Sequence, residues 1–154
     1  MTENIVPGIV KKGHRVASGF AKEPRFPDGT LALQIPRFAE RGLDLSGYHR
    51  GTLNVSISPL SCRIGKAWKI FPKVKWSPVM PSENFSFFRC GIRPIGAEIF
   101  TSALIYWPHP STKPEYFQDP SILEILAPFL QGIGYGSRVE LCFSPEEIEI
   151  LDKF

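Results

Sequence analysis

Gly51-Thr52-Leu53-Asn54-Val55-Ser56-Ile57 alternates polar and apolar side chains between a glycine and the Ser58-Pro59 that closes it. A period of two is the mark of a half-buried strand, in which residues i and i+2 share a face. Thr52, Asn54 and Ser56 then point one way, while Leu53, Val55 and Ile57 point into a core. Two neutral oxygen-bearing side chains at that spacing can hold a hard cation or a phosphate. They serve equally well as the wet face of a strand, and this stretch alone does not choose.

Working outward, the same reading gives more strands. Ile5 to Val10 is a first strand, interrupted by Pro7-Gly8. Thr30-Leu31-Ala32-Leu33-Gln34-Ile35 alternates with strand period and stops at Pro36, and Arg37 to Arg41 is one helical turn stopped by Gly42. Downstream, Ala67 to Phe71, Phe85 to Ile92, Glu98 to Trp107 and Arg138 to Phe143 read as strands. Ser121-Ile122-Leu123-Glu124-Ile125-Leu126 is read as a strand over 121–126, because Pro128 would clash with the preceding turn of any longer helix. A short helix is expected from Pro128 to Gly132 or Gly134, and a helical turn or tail over the Glu-rich 145–154.

The 154 residues fit one domain, with a core over about 5–143 and a C-terminal tail over 144–154. Usage of 15 Pro and 13 Gly favours short strands and turns over long helices. The expected fold is therefore mainly β, a small closed barrel of six to eight strands with one or two short helices. No apolar run reaches membrane-spanning length, and Met1-Thr2-Glu3-Asn4 lacks the pattern of a signal peptide. Cys62, Cys90 and Cys142 are odd in number and widely spaced, forming neither a zinc signature nor a disulfide framework. Buried thiols in a cytoplasmic protein are the expectation.

The formal net charge of +3 conceals an asymmetry. Residues 1–93 carry fifteen Lys and Arg against six Asp and Glu, about +9, and residues 94–154 carry three against nine, about −6. Either the first part meets an anionic ligand or the two parts pack with complementary surfaces. The cations are scattered, with no helical stripe or aromatic-basic motif, so nucleic acid is not expected as a partner.

Candidate chemistry gathers at four places. A basic loop follows the first strand, Lys11-Lys12-Gly13-His14-Arg15 running on to Ser18-Gly19, in which Gly13 and Gly19 bracket a turn that could present backbone N–H groups to phosphate, or which is a plain basic surface loop. Thr52 and Asn54 form the pair described above. Thr112, in the proline-stiffened loop from Pro108 to Pro114, could hold a ligand or simply make a turn, and Trp107, Tyr106 and Tyr116 nearby could stack on a flat heterocycle. Glu124 places a charge amid Ile122, Leu123, Ile125 and Leu126, where it must face a cavity or solvent. It reads as a ligand acceptor or general base, or as the outer face of an edge strand. His14, His49 and His109 have no metal-ligand spacing.

Taken in order, these pieces resemble the archaeal-type CTP-dependent riboflavin kinases. The matching residues are Gly8 to Gly13, the Gly51-Thr52-Leu53-Asn54-Val55 motif, the apolar strand Ala103 to Pro108, Leu123-Glu124-Ile125-Leu126-Ala127-Pro128, and the last strand. The resemblance implies a cradle-loop barrel and phosphoryl transfer from a nucleotide to riboflavin with Mg2+, giving FMN. It implies Thr52 and Asn54 as metal ligands, Thr112 and Glu124 as flavin contacts, and Gly13, His14, Arg15, Ser18 and Gly19 around the nucleotide phosphates. Glu124 would orient or deprotonate the accepting hydroxyl. The chain departs from the family at three places, one of them residues 21–29, which look like an insertion. The central glycines of a Gly-x-Gly-Glu-Gly loop are missing from 13–19, and Phe129-Leu130-Gln131-Gly132-Ile133 has no Arg where the family's nucleotide-contacting helix has one. A non-catalytic flavin- or nucleotide-binding barrel is the alternative expectation. Small-molecule ligands are the partners of either reading, and no membrane is expected.

Overall fold

The structure is a computed structural model, and it describes residues 4–11, 30–49, 51–109 and 119–151. Nine strands and one helix are found in that part: β1 (Asn4–Lys11), α1 (Thr30–Glu40), β2 (Leu53–Ser56), β3 (Ser61–Ile64), β4 (Lys69–Val74), β5 (Glu83–Pro94), β6 (Thr101–Pro108), β7 (Ile122–Leu126), β8 (Arg138–Phe143) and β9 (Ile148–Leu151). The main sheet has the order β4-β5-β6-β7-β2-β1-β8, every pairing antiparallel, and β8 returns to pair with β5. Six strands, β5-β6-β7-β2-β1-β8, thus close into a cradle-loop-type barrel.

The 12-residue β5 makes closure possible. Glu83 to Phe87 pair with β4, Phe85 to Ile92 pair with β6, and Gly91 to Pro94 pair with β8. One strand therefore changes partner along its length, and β4 is left outside the ring.

Two apolar clusters follow from the strand faces. Inside the barrel lie Val6, Val10, Val55, Ile57, Phe88, Ile92, Ile105, Leu123, Ile125, Val139 and Leu141. Outside it, under α1, lie Phe71, Val74, Phe85, Phe87, Leu104, Tyr106 and Leu126, with Leu31 and Phe38 from the helix. Phe38 sets its ring edge-on against Phe85 and Phe87, both at 5.1 Å between centroids. Each such pair contributes roughly 0.5–1.5 kcal/mol beyond its area burial. The sheet is covered on both faces here, which is why Phe85-Ser86-Phe87-Phe88 lacks a clean alternation.

The helix corrects the strand expected over Thr30–Ile35. Thr30, Leu31, Gln34 and Phe38 are its buried residues, a spacing of one, three and four that only a helix puts on one face. Leu, Ala and Gln are good helix formers, and Pro36 is tolerated at the loss of one backbone hydrogen bond. The expected stop at Gly42 is where the chain turns: Gly42 N–H donates to Ala39 O at 3.1 Å and Leu43 N–H to Phe38 O at 3.0 Å. This paired termination needs a left-handed residue after the helix, and Gly42 has φ of +96°.

Two more expectations are corrected. Residues 127–137 contain turns and no helix, as Pro128 and two glycines of positive φ, Gly132 and Gly136, break the chain repeatedly. Within the Glu-rich end, Ile148–Leu151 is not helical but pairs as β9 with β3, which the sequence reading missed. Ile148 and Ile150 pack on the barrel interior's cluster, and Glu149 on the other face meets Arg63 at 3.7 Å. The alternation of isoleucine with glutamate outweighed the overall charge.

Candidate functional site

β2 is flanked by β1 and β7, and its register builds the site. Asn54 is the cross-strand partner of Glu124 on β7 and of Lys11 on β1. Residues directly opposite in a sheet share a face. Amine, amide and carboxylate therefore form one row across three strands on the barrel's outer wall. Thr52 lies two residues from Asn54 on the same side, and its hydroxyl donates to Glu124 Oε1 at 3.2 Å. The inward residues between them are Leu53, packed on the core, and Val55, fully buried. Thr52, Asn54 and Glu124 are each half-buried, and Lys11 is exposed.

Strands β6 and β7 pair only at Leu104–Leu126 and Ile105–Ile125, and beyond that they splay. A cavity of about 310 Å³ opens in the gap, lined by Cys62, Ile64, Ile105, Tyr106, Trp107, Leu123 and Glu124 and edged by Asp119, Pro120 and Ile122. Its volume lies at the small end of ligand pockets, and its walls are aliphatic and aromatic with carboxylates at the edge. Thr52 reaches it through Glu124, and Asn54 lies beside Glu124 on the neighbouring strand. Burial pushes the Cys62 thiol in its wall up to about 11.

Tyr106 joins this wall to α1. Its hydroxyl donates to Gln34 Oε1 at 2.6 Å, and both side chains are buried. Burial first, then the charges of Glu124 and Glu83, hold the phenol well above its ordinary pKa, against a smaller opposing effect of the Gln34 hydrogen bond. Tyr106 therefore stays protonated and shows the cavity only part of its ring. Trp107 is the more available aromatic; its ring lies 4.6 Å from that of His109. His109 in turn shares a 2.7 Å hydrogen bond with buried Ser86, and burial lowers its pKa.

At the other end of β7 a second cavity, of about 140 Å³, is lined by Gly51, Leu53, Ile125, Ala127, Pro128, Leu130 and Ile133, with His49 and Phe129 at its edge. An apolar space of about 150 Å³ holds a single benzene-sized ring. Phe129 is 77% exposed and meets His49 edge-on at 6.4 Å. His49 N–H donates to Ala127 O at 2.9 Å, fixing this rim.

The structure thus brings Thr52, Asn54 and Glu124 together. Gly13, His14, Arg15, Ser18, Gly19 and Thr112, with Tyr116, lie outside the described residues. Lys11 was not singled out in the sequence as a member of this group. The only signal that could have found it is the β1–β2 register, which a single strand does not display. Among the described residues no three His, Cys, Asp or Glu side chains gather as a metal site. The donors here are two neutral oxygens and one carboxylate. Such a set suits Mg2+, which keeps several waters and relies on phosphate oxygens to complete its octahedron. No helix among the described residues is long and apolar enough to cross a membrane.

No known protein family matches this chain, and no curated protein shows detectable similarity to it.

Proposed function

We propose that the chain is a riboflavin-kinase-like phosphotransferase, moving a nucleotide's terminal phosphoryl group to riboflavin with Mg2+ to give FMN. The observation that carries this reading is the placement of Thr52, Asn54 and Glu124 on one face, with the Thr52 hydroxyl 3.2 Å from the Glu124 carboxylate. Cavities of about 310 and 140 Å³ lie at the two ends of β7. The larger suits a flat fused ring against Trp107, and the smaller suits a single ring beside Phe129.

Thr52 Oγ1 and the Asn54 side-chain oxygen would hold Mg2+. Bound there, the ion would neutralise phosphate charge and align the transferring group. Glu124 would accept the proton of the terminal ribityl hydroxyl as its oxygen bonds to phosphorus and the bond to the nucleoside diphosphate breaks. Catalysis of this kind is mostly positioning and electrostatics. Phosphate contacts from Gly13, His14, Arg15, Ser18 and Gly19, and a flavin contact from Thr112, complete the proposal.

The missing loop glycines favour a second reading, a barrel that binds flavin or nucleotide without transfer. A panel of nucleoside triphosphates with Mg2+ and riboflavin separates the two, read by FMN formation and by quenching of flavin fluorescence. FMN that disappears in Asn54→Ala supports the kinase. Quenching without FMN on any donor supports the binding module, and absence of both removes both readings.

A further inference from the structure

We infer that Lys11 is the cation that grips the nucleotide phosphates at this site, and that the row Lys11–Asn54–Glu124 sets the direction of transfer. This rests on the phosphotransferase reading. Register carries it. Lys11 and Glu124 lie on opposite sides of Asn54 across β1, β2 and β7. Adjacent strands are about 4.8 Å apart, so the backbones of the two charged residues are roughly 10 Å apart. A phosphoryl group over Asn54 fits between an amine on one side and a carboxylate on the other.

The two ends have opposite chemistry. Negative charge builds on the leaving phosphate, which needs a cation. The attacking hydroxyl loses a proton, which needs a base. The row therefore assigns the nucleotide's phosphates to the β1 side and the accepting hydroxyl to the β7 side. The 310 Å³ cavity opens at Glu124, on the β7 side, in agreement with that polarity.

Lys11 is one of several described cations with no carboxylate partner among the described residues, Lys66, Lys73 and Arg138 being others, and its place opposite Asn54 sets it apart from those. Arg37, Arg63, Arg89 and Arg93 are each committed to a carboxylate, and Lys69 sits 4.9 Å over the Trp68 ring. Lys11 is exposed and makes no ion pair with another described residue. Its four-carbon stem lets the ammonium sweep over Asn54 without moving the strand.

The test uses Mg2+ with inorganic tripolyphosphate and with CTP as probes, followed by calorimetry, on the wild-type chain, Lys11→Met, Lys11→Arg and Lys69→Met. The last removes the same charge from a strand outside the barrel. One charge-assisted contact is worth about 1.5–3 kcal/mol, roughly ten- to a hundredfold in affinity. Lys11→Met is expected to weaken both probes by that factor and to flatten their salt dependence. Riboflavin quenching should be unchanged, Lys11→Arg should restore most of the affinity, and Lys69→Met should bind as wild type. Equal binding by Lys11→Met and wild type, or an equal loss in Lys69→Met, overturns the inference while leaving the phosphotransferase reading in place. A wild-type chain that binds neither probe and forms no FMN overturns that reading, and the inference falls with it.

Discussion

On the β2–β7 seam, a carboxylate, an amide, a hydroxyl and an amine share one face, and a single 3.2 Å hydrogen bond joins two of them. On the β5–β8 seam, directly across the six-stranded ring, the charged groups are committed to one another. Glu147, whose side chain is 8% exposed, accepts from Arg89 N–H at 2.9 Å, Nη2 at 2.9 Å and Nε at 3.2 Å. Arg93 Nε donates to Glu140 at 3.0 Å and its guanidinium lies 4.0 Å over the Phe100 ring. A cavity of about 350 Å³ is found there too, larger than either beside β7. Size therefore does not mark the site. The kind of groups gathered on one face does: the β2–β7 row sets hydroxyl, amide and carboxylate side by side, whereas the β5–β8 charges pair with one another in closing the barrel.

The largest expected effect separates the seams by activity. Glu124→Gln keeps the shape and an acceptor for Thr52 but cannot take a proton, so FMN formation should fall by about a hundredfold or more. Asn54→Ala should fall comparably. Neither should lower the unfolding free energy, read by urea denaturation, by more than about 1 kcal/mol, because both side chains are only half-buried. A large stability loss in either would show that the row holds the barrel together rather than a ligand.

The reverse is expected of Glu147. Glu147→Ala leaves the Arg89 N–H without its acceptor and breaks a bidentate pair. Because Arg89 is 62% exposed and can rehydrate, the cost is set at about 2–3 kcal/mol, read by urea denaturation. Flavin quenching and FMN yield per folded molecule should be unchanged.

Gly91 tests the same wall more gently. A Cβ there would meet Cys142 Sγ at 2.7 Å and Phe100 Cβ at 2.9 Å. Gly91→Ala should cost about 1–2 kcal/mol through overpacking, again without a change in ligand binding. Loss of binding in this variant would mean that the two seams are coupled.

The difference between the seams was only partly legible in the sequence. β2, β6, β7 and β8 could be read because aliphatic residues recur every second position on an interior that admits nothing else. Glu124 could be read because a charge in an apolar strand must face a cavity or water, and it faces the 310 Å³ cavity. Thr30 to Ile35 could not, because Thr-Leu-Ala-Leu-Gln-Ile satisfies both periods locally. The outcome was decided by Phe85, Phe87 and Tyr106, far along the chain, which offer an apolar floor that Leu31 and Phe38 reach only as a helix. Lys11 and the Arg–Glu pairs were hidden for the same reason: a register across strands determines which charges meet, and no local stretch contains it.

The thiols give the smallest effect and the sharpest spatial reading, since each seam has its own. Cys62 lines the cavity beside Glu124, and Cys90 and Cys142 line the one across the barrel. Burial pushes the Cys62 thiol up to about 11, from an ordinary value of 9.0, and raises that of Cys90 further. Thiolate is the reactive form, so alkylation of Cys62 at pH 8 should be about a hundredfold slower than that of a free cysteine, and that of Cys90 slower still. If flavin occupies the gap between β6 and β7, saturating riboflavin should slow labelling of Cys62 severalfold and leave Cys142 unchanged, as followed by mass spectrometry of the alkylated peptides. Protection of Cys142 instead would move the ligand to the opposite wall, where the paired arginines would have to open to receive it. Uniform protection of all three would indicate tightening of the whole barrel, and the cavity beside Glu124 would lose its claim to the flavin.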